Sequence, residues 1–290
     1  MERRNRQQIR SPKGRRRLRG LAPFFVALLW PVLAVRGEAD IKWQIIELTE
    51  QIAKQPRNPE LFLSRGDLYR AQQNWDAAQA DYDQAITLNP MVEMVDFLRG
   101  RMFLEANWPL SAKVALDRFL ARQTNHVEAL ILRARTLTRL ENRLAAARDY
   151  TRAIELTTES RPELYLERAE ALAAEGGGYA REALYGLDEG IKKLGPVVSL
   201  QLGAIDLEVK QKQYDGALAR VDSLAETSPR KETWLARKGE ILQQAGRNDQ
   251  ARAAFNSALD ALNTLPPGRR NVPAMAELEK RIREQLANLN

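Results

Sequence analysis

The feature that most constrains the fold of this chain is a pattern of small and bulky residues that returns about every 34 positions. Its first copy reads Ala78-x-x-x-Tyr82-x-x-Ala85. Six alanines lead the successive copies: Ala78, Ala112, Ala146, Ala183, Ala217 and Ala251. Four of them follow another small residue by twelve positions: Gly66, Gly100, Ala134 and Gly239. Because spacings of three and four residues place side chains on one helical face, the pattern predicts a repeated unit of two amphipathic helices.

One interval in the series is longer than the others, between Ala146 and Ala183. Two of its three extra residues are expected in Gly176-Gly177-Gly178 and one just before Pro162. No Gly-Lys-Ser/Thr sequence follows these glycines, so they do not form a phosphate-binding loop. They predict a lengthened turn within an otherwise regular array.

The first unit also carries bulky and small residues at set places along both of its helices. These residues are Phe62, Gly66, Tyr69, Ala78, Tyr82, Ala85 and Pro90. In this order and over this period they resemble the tetratricopeptide repeat family, and the resemblance extends over roughly residues 59–265. It implies an all-α fold, a superhelical solenoid of about six tetratricopeptide helix-turn-helix repeats with flanking capping helices.

The chain is expected to divide into four segments. Residues 1–39 are predicted to be a signal peptide or an N-terminal anchor, and residues 40–58 an N-terminal capping helix. Residues 59–265 hold the six repeats, and residues 266–290 are predicted to form a C-terminal capping helix. The two flanking segments place apolar residues on one helical face, which suits helices that close the ends of a repeat stack.

The N-terminal segment has the composition of a targeting signal. A basic run over residues 3–19 is followed by fifteen uncharged residues from Leu21 to Val35 and then by small residues. This order is typical of a secretory signal, and fifteen helical residues fall short of a hydrocarbon core of roughly 30 Å. We therefore expect a periplasmic or secreted protein. The alternative is an uncleaved inner-membrane anchor, which would be the chain's only link to a membrane.

The formal net charge of +7 arises in the N-terminal segment. Residues 1–39 contain ten basic and two acidic side chains, whereas the remainder contains 35 basic and 36 acidic ones. Because phosphate binding depends on an excess of basic side chains, the repeats are not expected to bind nucleic acid.

Side chains suited to catalysis are scarce. The chain has no cysteine, and its single histidine, His126, falls in a predicted turn between repeats. This composition excludes thiol nucleophiles and cysteine-ligated metals. We expect a protein that is not an enzyme and that carries no cofactor or metal.

The resemblance implies that a protein or peptide partner binds on the concave surface, which the first helix of each repeat lines. Helical phase places there the side chains opposite Phe62, Gly66 and Tyr69. The predicted peptide-binding residues are Leu63, Asp67 and Arg70 in the first repeat, Phe97, Arg101 and Leu104 in the second, and Ile131, Arg135, Thr138 and Arg139 in the third. Since arginine binds carboxylates in bidentate geometry and apolar side chains anchor partners, the predicted ligand is an acidic-hydrophobic peptide. The alternative is that these arginines pair with neighbouring acidic side chains and bind nothing.

Some members of the family hold chaperone C-termini with basic and amide residues on their first helices. Leu63 and Asp67 occupy the corresponding positions here, so a chaperone adaptor is not predicted. The expected function is a non-enzymatic protein–protein interaction scaffold or adaptor, exported across the membrane, that binds a partner peptide or helix in its concave groove. The alternative is a membrane-anchored assembly subunit of an envelope or secretion complex.

Overall fold

The structure, a computed structural model, describes residues 29–159 and 161–289, with side chains from residue 40 onward. Every regular element in these ranges is an α-helix. The helices are α1 (Leu29–Lys54), α2 (Pro59–Ala71), α3 (Trp75–Leu88), α4 (Val95–Glu105), α5 (Pro109–Arg122), α6 (Val127–Arg139), α7 (Arg143–Leu156), α8 (Pro162–Glu175), α9 (Tyr179–Leu194), α10 (Val198–Lys210), α11 (Tyr214–Thr227), α12 (Lys231–Gln244), α13 (Asn248–Asn263), α14 (Pro267–Arg270) and α15 (Pro273–Asn288). Helices α2 to α13 form six consecutive pairs, which confirms the predicted all-α solenoid. Most of the predicted signal or anchor, residues 1–28, lies outside the described residues.

Each pair consists of a first helix and a second helix that pack against each other, and each second helix also packs against the first helix of the next pair. First helices contact one another as well, as between α2 and α4, α4 and α6, and α8 and α10. These contacts draw the first helices together on one side, so the stack curves around them. We call this inner side, formed by α2, α4, α6, α8, α10 and α12, the first-helix face.

The turns inside the pairs place one residue in the left-handed backbone region at the same point of five repeats. These residues are Gln73, Asn107, Glu141, Lys212 and Gly246, with φ between 58° and 72°. In each case a turn of only three residues joins the two helices. The fourth repeat also has a turn of three residues, with Gly176 and Gly177 at φ 80° and 57°. The predicted lengthened turn is therefore wrong, because the helices hold the two extra residues: α8 has 14 residues where α6 has 13, and α9 begins four residues before Ala183 where α7 begins three before Ala146.

Small residues in the first helices make room for bulky residues sixteen positions later. A Cβ atom on Gly100 would lie 2.5 Å from Cγ of Leu116, and one on Gly239 would lie 2.6 Å from the ring of Phe255. In the fifth repeat the corresponding place is held by Ile205, which is fully buried. The helices of a pair are therefore in close contact, and the core runs between them along the stack.

The flanking helices cover the ends of the stack. α1 packs against α2, and α15 packs against α12 and α13. Met275, Leu278 and Ile282 of α15 are buried against the last repeat. Among the helices of the described residues, none combines the length and apolar character that a membrane crossing requires.

Candidate functional site: the first-helix face

Ion pairs between consecutive first helices run along the first-helix face. Arg101 of α4 donates to Asp67 of α2 at 2.8 Å, and Arg70 of α2 donates to Glu105 of α4 at 2.6 Å. Two further pairs join α6 to α8 and α10 to α12: Arg135–Glu167 at 2.8 Å and Arg237–Asp206 at 2.5 Å. We call these four pairs the inner charge ladder, since each crosses from one repeat to the next.

Two carboxylates of the ladder, Asp67 and Glu167, have pKa values lowered by their arginine partners. Burial opposes the ionisation of Asp67, but hydrogen bonds from Arg70 and Arg101 outweigh it and hold its pKa below the ordinary value. Burial acts on Glu167 in the same way, and hydrogen bonds from Arg135 and Tyr150 lower its pKa. The ladder is therefore charge-compensated at neutral pH.

The four apolar residues predicted as exposed anchors are buried. Leu63, Phe97, Leu104 and Ile131 expose 4%, 6%, 5% and 1% of their surface. The cause is the close approach of α2, α4 and α6, which turns this side of each first helix toward its neighbour. The expectation that these side chains offer apolar surface to a partner is therefore wrong.

Three of the four predicted arginines hold carboxylates of their own chain, as the alternative interpretation expects: Arg70, Arg101 and Arg135. Arg139 instead donates to a backbone carbonyl of α4, and the hydroxyl of Thr138 donates to a carbonyl within α6. Among the three paired side chains, Arg135 is the most exposed at 43%, against 15% for Arg70. Partner binding by these residues stays a prediction, and Arg135 is the paired arginine that a partner can best reach.

Tyrosine hydroxyls lie beneath the ladder at equivalent points of the first and third repeats. The hydroxyl of Tyr82 and the Nε atom of Arg101 are buried and have no hydrogen-bond partner in the described part of the chain. The hydroxyl of Tyr150 instead donates to Glu167. Burial raises the pKa of both tyrosines, so both hydroxyls keep their protons at neutral pH.

An apolar stripe on α10 is open to solvent and was not predicted. Val198 is 50% exposed and Leu202 is 37% exposed. Asp206, one helical turn further, carries the ion pair to Arg237, so the stripe lies on the first-helix face. We call Val198 and Leu202 the α10 stripe. Helical phase would have identified it if applied to the fifth repeat, because Leu202 occupies the place of Leu63.

His126 caps a helix. Its Nδ1 accepts a hydrogen bond from the backbone N–H of Ala129 at 3.2 Å, which satisfies a donor at the start of α6. Its ring lies 5.0 Å from those of Phe97 and Phe119. This histidine therefore has a structural role in the predicted turn. Across residues 29–159 and 161–289, no group of His, Asp and Glu is arranged to hold a metal ion.

Two segments of the chain match family models. Residues 63–109 match a tetratricopeptide repeat, and residues 180–273 match a tetratricopeptide repeat-like domain. A tetratricopeptide repeat protein from Parabacteroides merdae ATCC 43184 is 19% identical, with a TM-score of 0.52 over 89% of this chain and 98% of that chain. YrrB, a tetratricopeptide repeat protein with an unusual peptide-binding site, is 17% identical, with a TM-score of 0.52 over 72% of this chain and 97% of that chain. No curated protein matches the sequence.

The two structural likenesses show the fold, and the family models locate its repeats near both ends of the array. Tetratricopeptide proteins are generally interaction scaffolds and not enzymes. The six helix pairs, the 34-residue period and the two matched segments agree with one another. This chain is therefore a tetratricopeptide repeat protein, with the fold of a protein–protein interaction scaffold.

Proposed function

We propose that this chain is a non-enzymatic scaffold, exported across a membrane, that holds a segment of a partner protein against its first-helix face. The observation that carries the proposal is the α10 stripe. There Leu202 offers apolar surface at a position that is buried in the first three repeats. Exposed apolar side chains on a concave surface supply the anchors on which peptide binding depends.

The α10 stripe lies between two rungs of the inner charge ladder. The Arg135–Glu167 pair lies toward α6, and the Asp206–Arg237 pair lies toward α12. A partner carboxylate can replace Glu167 at Arg135 because this guanidinium is 43% exposed. We therefore propose that an acidic-hydrophobic segment places its apolar side chains on the stripe and a carboxylate at Arg135.

Site-specific crosslinking tests the location of this site. A photoreactive amino acid replaces Leu202 in the full chain, which is expressed in its own host, irradiated and analysed by mass spectrometry. A discrete partner is expected to crosslink at position 202 but not at Tyr185, an exposed residue of the second helix α9. Leu202→Asp should then weaken the purified complex, and Tyr185→Asp should not. Equal crosslinking at both positions would exclude the first-helix face as the binding site.

A charge reversal tests the acidic character of the partner. Arg101→Glu combined with Arg135→Glu is expected to weaken the same complex, because a guanidinium that meets a partner carboxylate becomes a repelling charge. Circular dichroism establishes that the double variant keeps its helical fold. Unchanged affinity in a folded variant would show that the partner does not bind through carboxylates.

A membrane-anchored assembly subunit is the second candidate. It is favoured by α1, which runs without a break from Leu29 to Lys54 and packs against the first repeat. The last residues of the apolar N-terminal segment thus belong to the helix that caps the stack. Intact mass separates the two candidates. A mature chain that begins near Val35 or Asp40 supports export, whereas a full-length chain in the membrane fraction supports an anchor.

A further inference from the structure

We propose that the outer side of the second repeat is a separate interaction surface. It binds an acidic segment of a partner protein, which contributes an apolar side chain and a neighbouring carboxylate. The surface is a cavity of about 590 Å³ opposite the first-helix face. We call it the outer cavity. The lining residues that matter here are Arg99, Phe103, Trp108, Leu110, Val114 and Arg118.

The apolar part of the outer cavity is exposed. Trp108, Leu110 and Val114 are 42%, 71% and 51% exposed, and the ring of Trp108 lies 5.8 Å from that of the buried Phe103. Leu110 and Val114 lie one turn apart on α5, on the side away from the core. Contiguous apolar surface of this kind is typical of binding sites, because single exposed residues are common but clusters are not.

The second repeat alone has aliphatic residues at both of the positions of Leu110 and Val114, since the third has Leu144 with Arg148 and the fourth has Arg181 with Tyr185. These positions are occupied by Asp and Ala in the first, fifth and sixth repeats: Asp76 and Ala80, Asp215 and Ala219, Asp249 and Ala253. The solenoid therefore does not need apolar residues at these positions. Packing within the repeat does not explain their presence in α5, whereas contact with a partner does.

The charge at the outer cavity favours a carboxylate. Arg118 is exposed and makes no ion pair or hydrogen bond with any described residue. Arg99 contacts Asp83 at 3.3 Å, with its guanidinium 5.7 Å from the ring of Phe103. The acidic residue of the lining, Asp96, is compensated by Arg122 at 2.6 Å. The uncompensated charge of the cavity is thus positive, and a guanidinium recognises a carboxylate with paired hydrogen bonds.

The same charge argues against this chain's own N-terminal segment as the occupant. That segment is apolar, but residues 3–19 contain nine basic side chains and no acidic one. It would bring positive charge to a positive cavity.

The next cavity along the outer side contrasts with the outer cavity, because its Arg152 is paired with Glu155 at 3.2 Å and Glu182 also lines it. Arg148 in that cavity, exposed on α7, provides a matched control.

Fluorescence anisotropy with the full chain tests the proposal. The probe is a fluorescein-labelled peptide of leucine, phenylalanine and glutamate with blocked termini. A control peptide has lysine in place of every glutamate. The acidic peptide is expected to bind and the lysine peptide is not. Arg118→Glu and Leu110→Ser should each weaken binding about tenfold, about 1.4 kcal/mol. Both side chains are exposed, so both variants should fold.

The controls separate this surface from the first-helix face. Arg148→Glu should leave the affinity for the acidic peptide within about twofold. Loss of binding only in Leu202→Asp would place the peptide on the first-helix face and overturn the proposal. Equal binding of both peptides, or no binding of either, would also overturn it. Sedimentation tests whether a second copy of this chain occupies the outer cavity. Self-association that Leu110→Ser abolishes would also overturn the proposal.

Discussion

Replacement of Tyr82 by phenylalanine is expected to stabilise the protein, although it removes a polar atom from the core. Tyr82 is fully buried against Gly66, and its hydroxyl has no hydrogen-bond partner among the described residues. In the unfolded chain water solvates that hydroxyl, so folding removes hydrogen bonds without replacing them. Phenylalanine keeps the ring and its contacts with the first helix while it removes the unpaired group.

The expected gain follows from the cost of an unpaired buried group. Such a group costs about 1–3 kcal/mol, and the small space left by the oxygen offsets part of the gain. We expect the free energy of unfolding to rise by about 1 kcal/mol, which for a chain of this size raises the Tm by about 2–4 °C. Urea titration followed by circular dichroism measures the free energy. Because repeat arrays can unfold in steps, hydrogen exchange of the α2 and α3 amides should show increased protection in the same variant.

Tyr150 supplies the matched control, since it occupies the same position in the third repeat. Its hydroxyl donates to Glu167, so Tyr150→Phe leaves a carboxylate short of a donor and should lower the free energy of unfolding by about 1–2 kcal/mol. The same chemical change should therefore have opposite signs at the two positions. Equal losses in both variants would show that the hydroxyl of Tyr82 has an acceptor after all, and would refute the reasoning.

Three further predictions test packing, charge and the turns. Gly100→Val should lower the free energy of unfolding by about 1–3 kcal/mol in a urea titration, because a Cβ atom there would lie 2.5 Å from Cγ of Leu116. Asp67 and Glu167 have lowered pKa values in the folded state, so their stabilisation is present above the ordinary carboxyl pKa and is lost as the pH falls through the lowered values. Urea titrations at neutral and acidic pH should show that loss, and Asp67→Asn should reduce it. Gly246→Ala should lower the Tm in a thermal scan, with a loss of about 1 kcal/mol, because φ is 72° there.

The architecture could be predicted from sequence because it depends on spacing and residue size. All six leading alanines, from Ala78 to Ala251, are fully buried where the helices of a pair meet. A longer side chain at such a place would push the helices apart, so the small residues recur with the period of the fold. The longer interval before Ala183 was visible in the sequence, but the location of two of its extra residues was not, because α8 and α9 are extended while the turn between them keeps three residues.

The site was harder to predict because helical phase says which side of a helix a residue occupies, and not what covers that side. Leu63 and Leu202 share one position in their repeats, yet the first is 4% exposed and the second 37%. What covers each position depends on how the neighbouring helices pack in the stack, and the sequence of one helix does not specify that packing. The ion pairs were easier to predict from the sequence. Arg70 and Glu105 are 35 residues apart, about one period, so the two side chains lie at similar places in consecutive repeats.

The distribution of paired and unpaired arginines bears on where an acidic partner would bind. On the first-helix face, a partner carboxylate at Arg70 or Arg101 must displace Asp67 or Glu105, so one ion pair is exchanged for another with little net gain. At the outer cavity Arg118 has no ion pair or hydrogen bond to lose within the described residues. A carboxylate that binds there adds an interaction without breaking one. The arginines alone therefore favour the outer cavity for an acidic group, and acidic binding on the first-helix face depends on the apolar contacts of the α10 stripe and on the exposed Arg135.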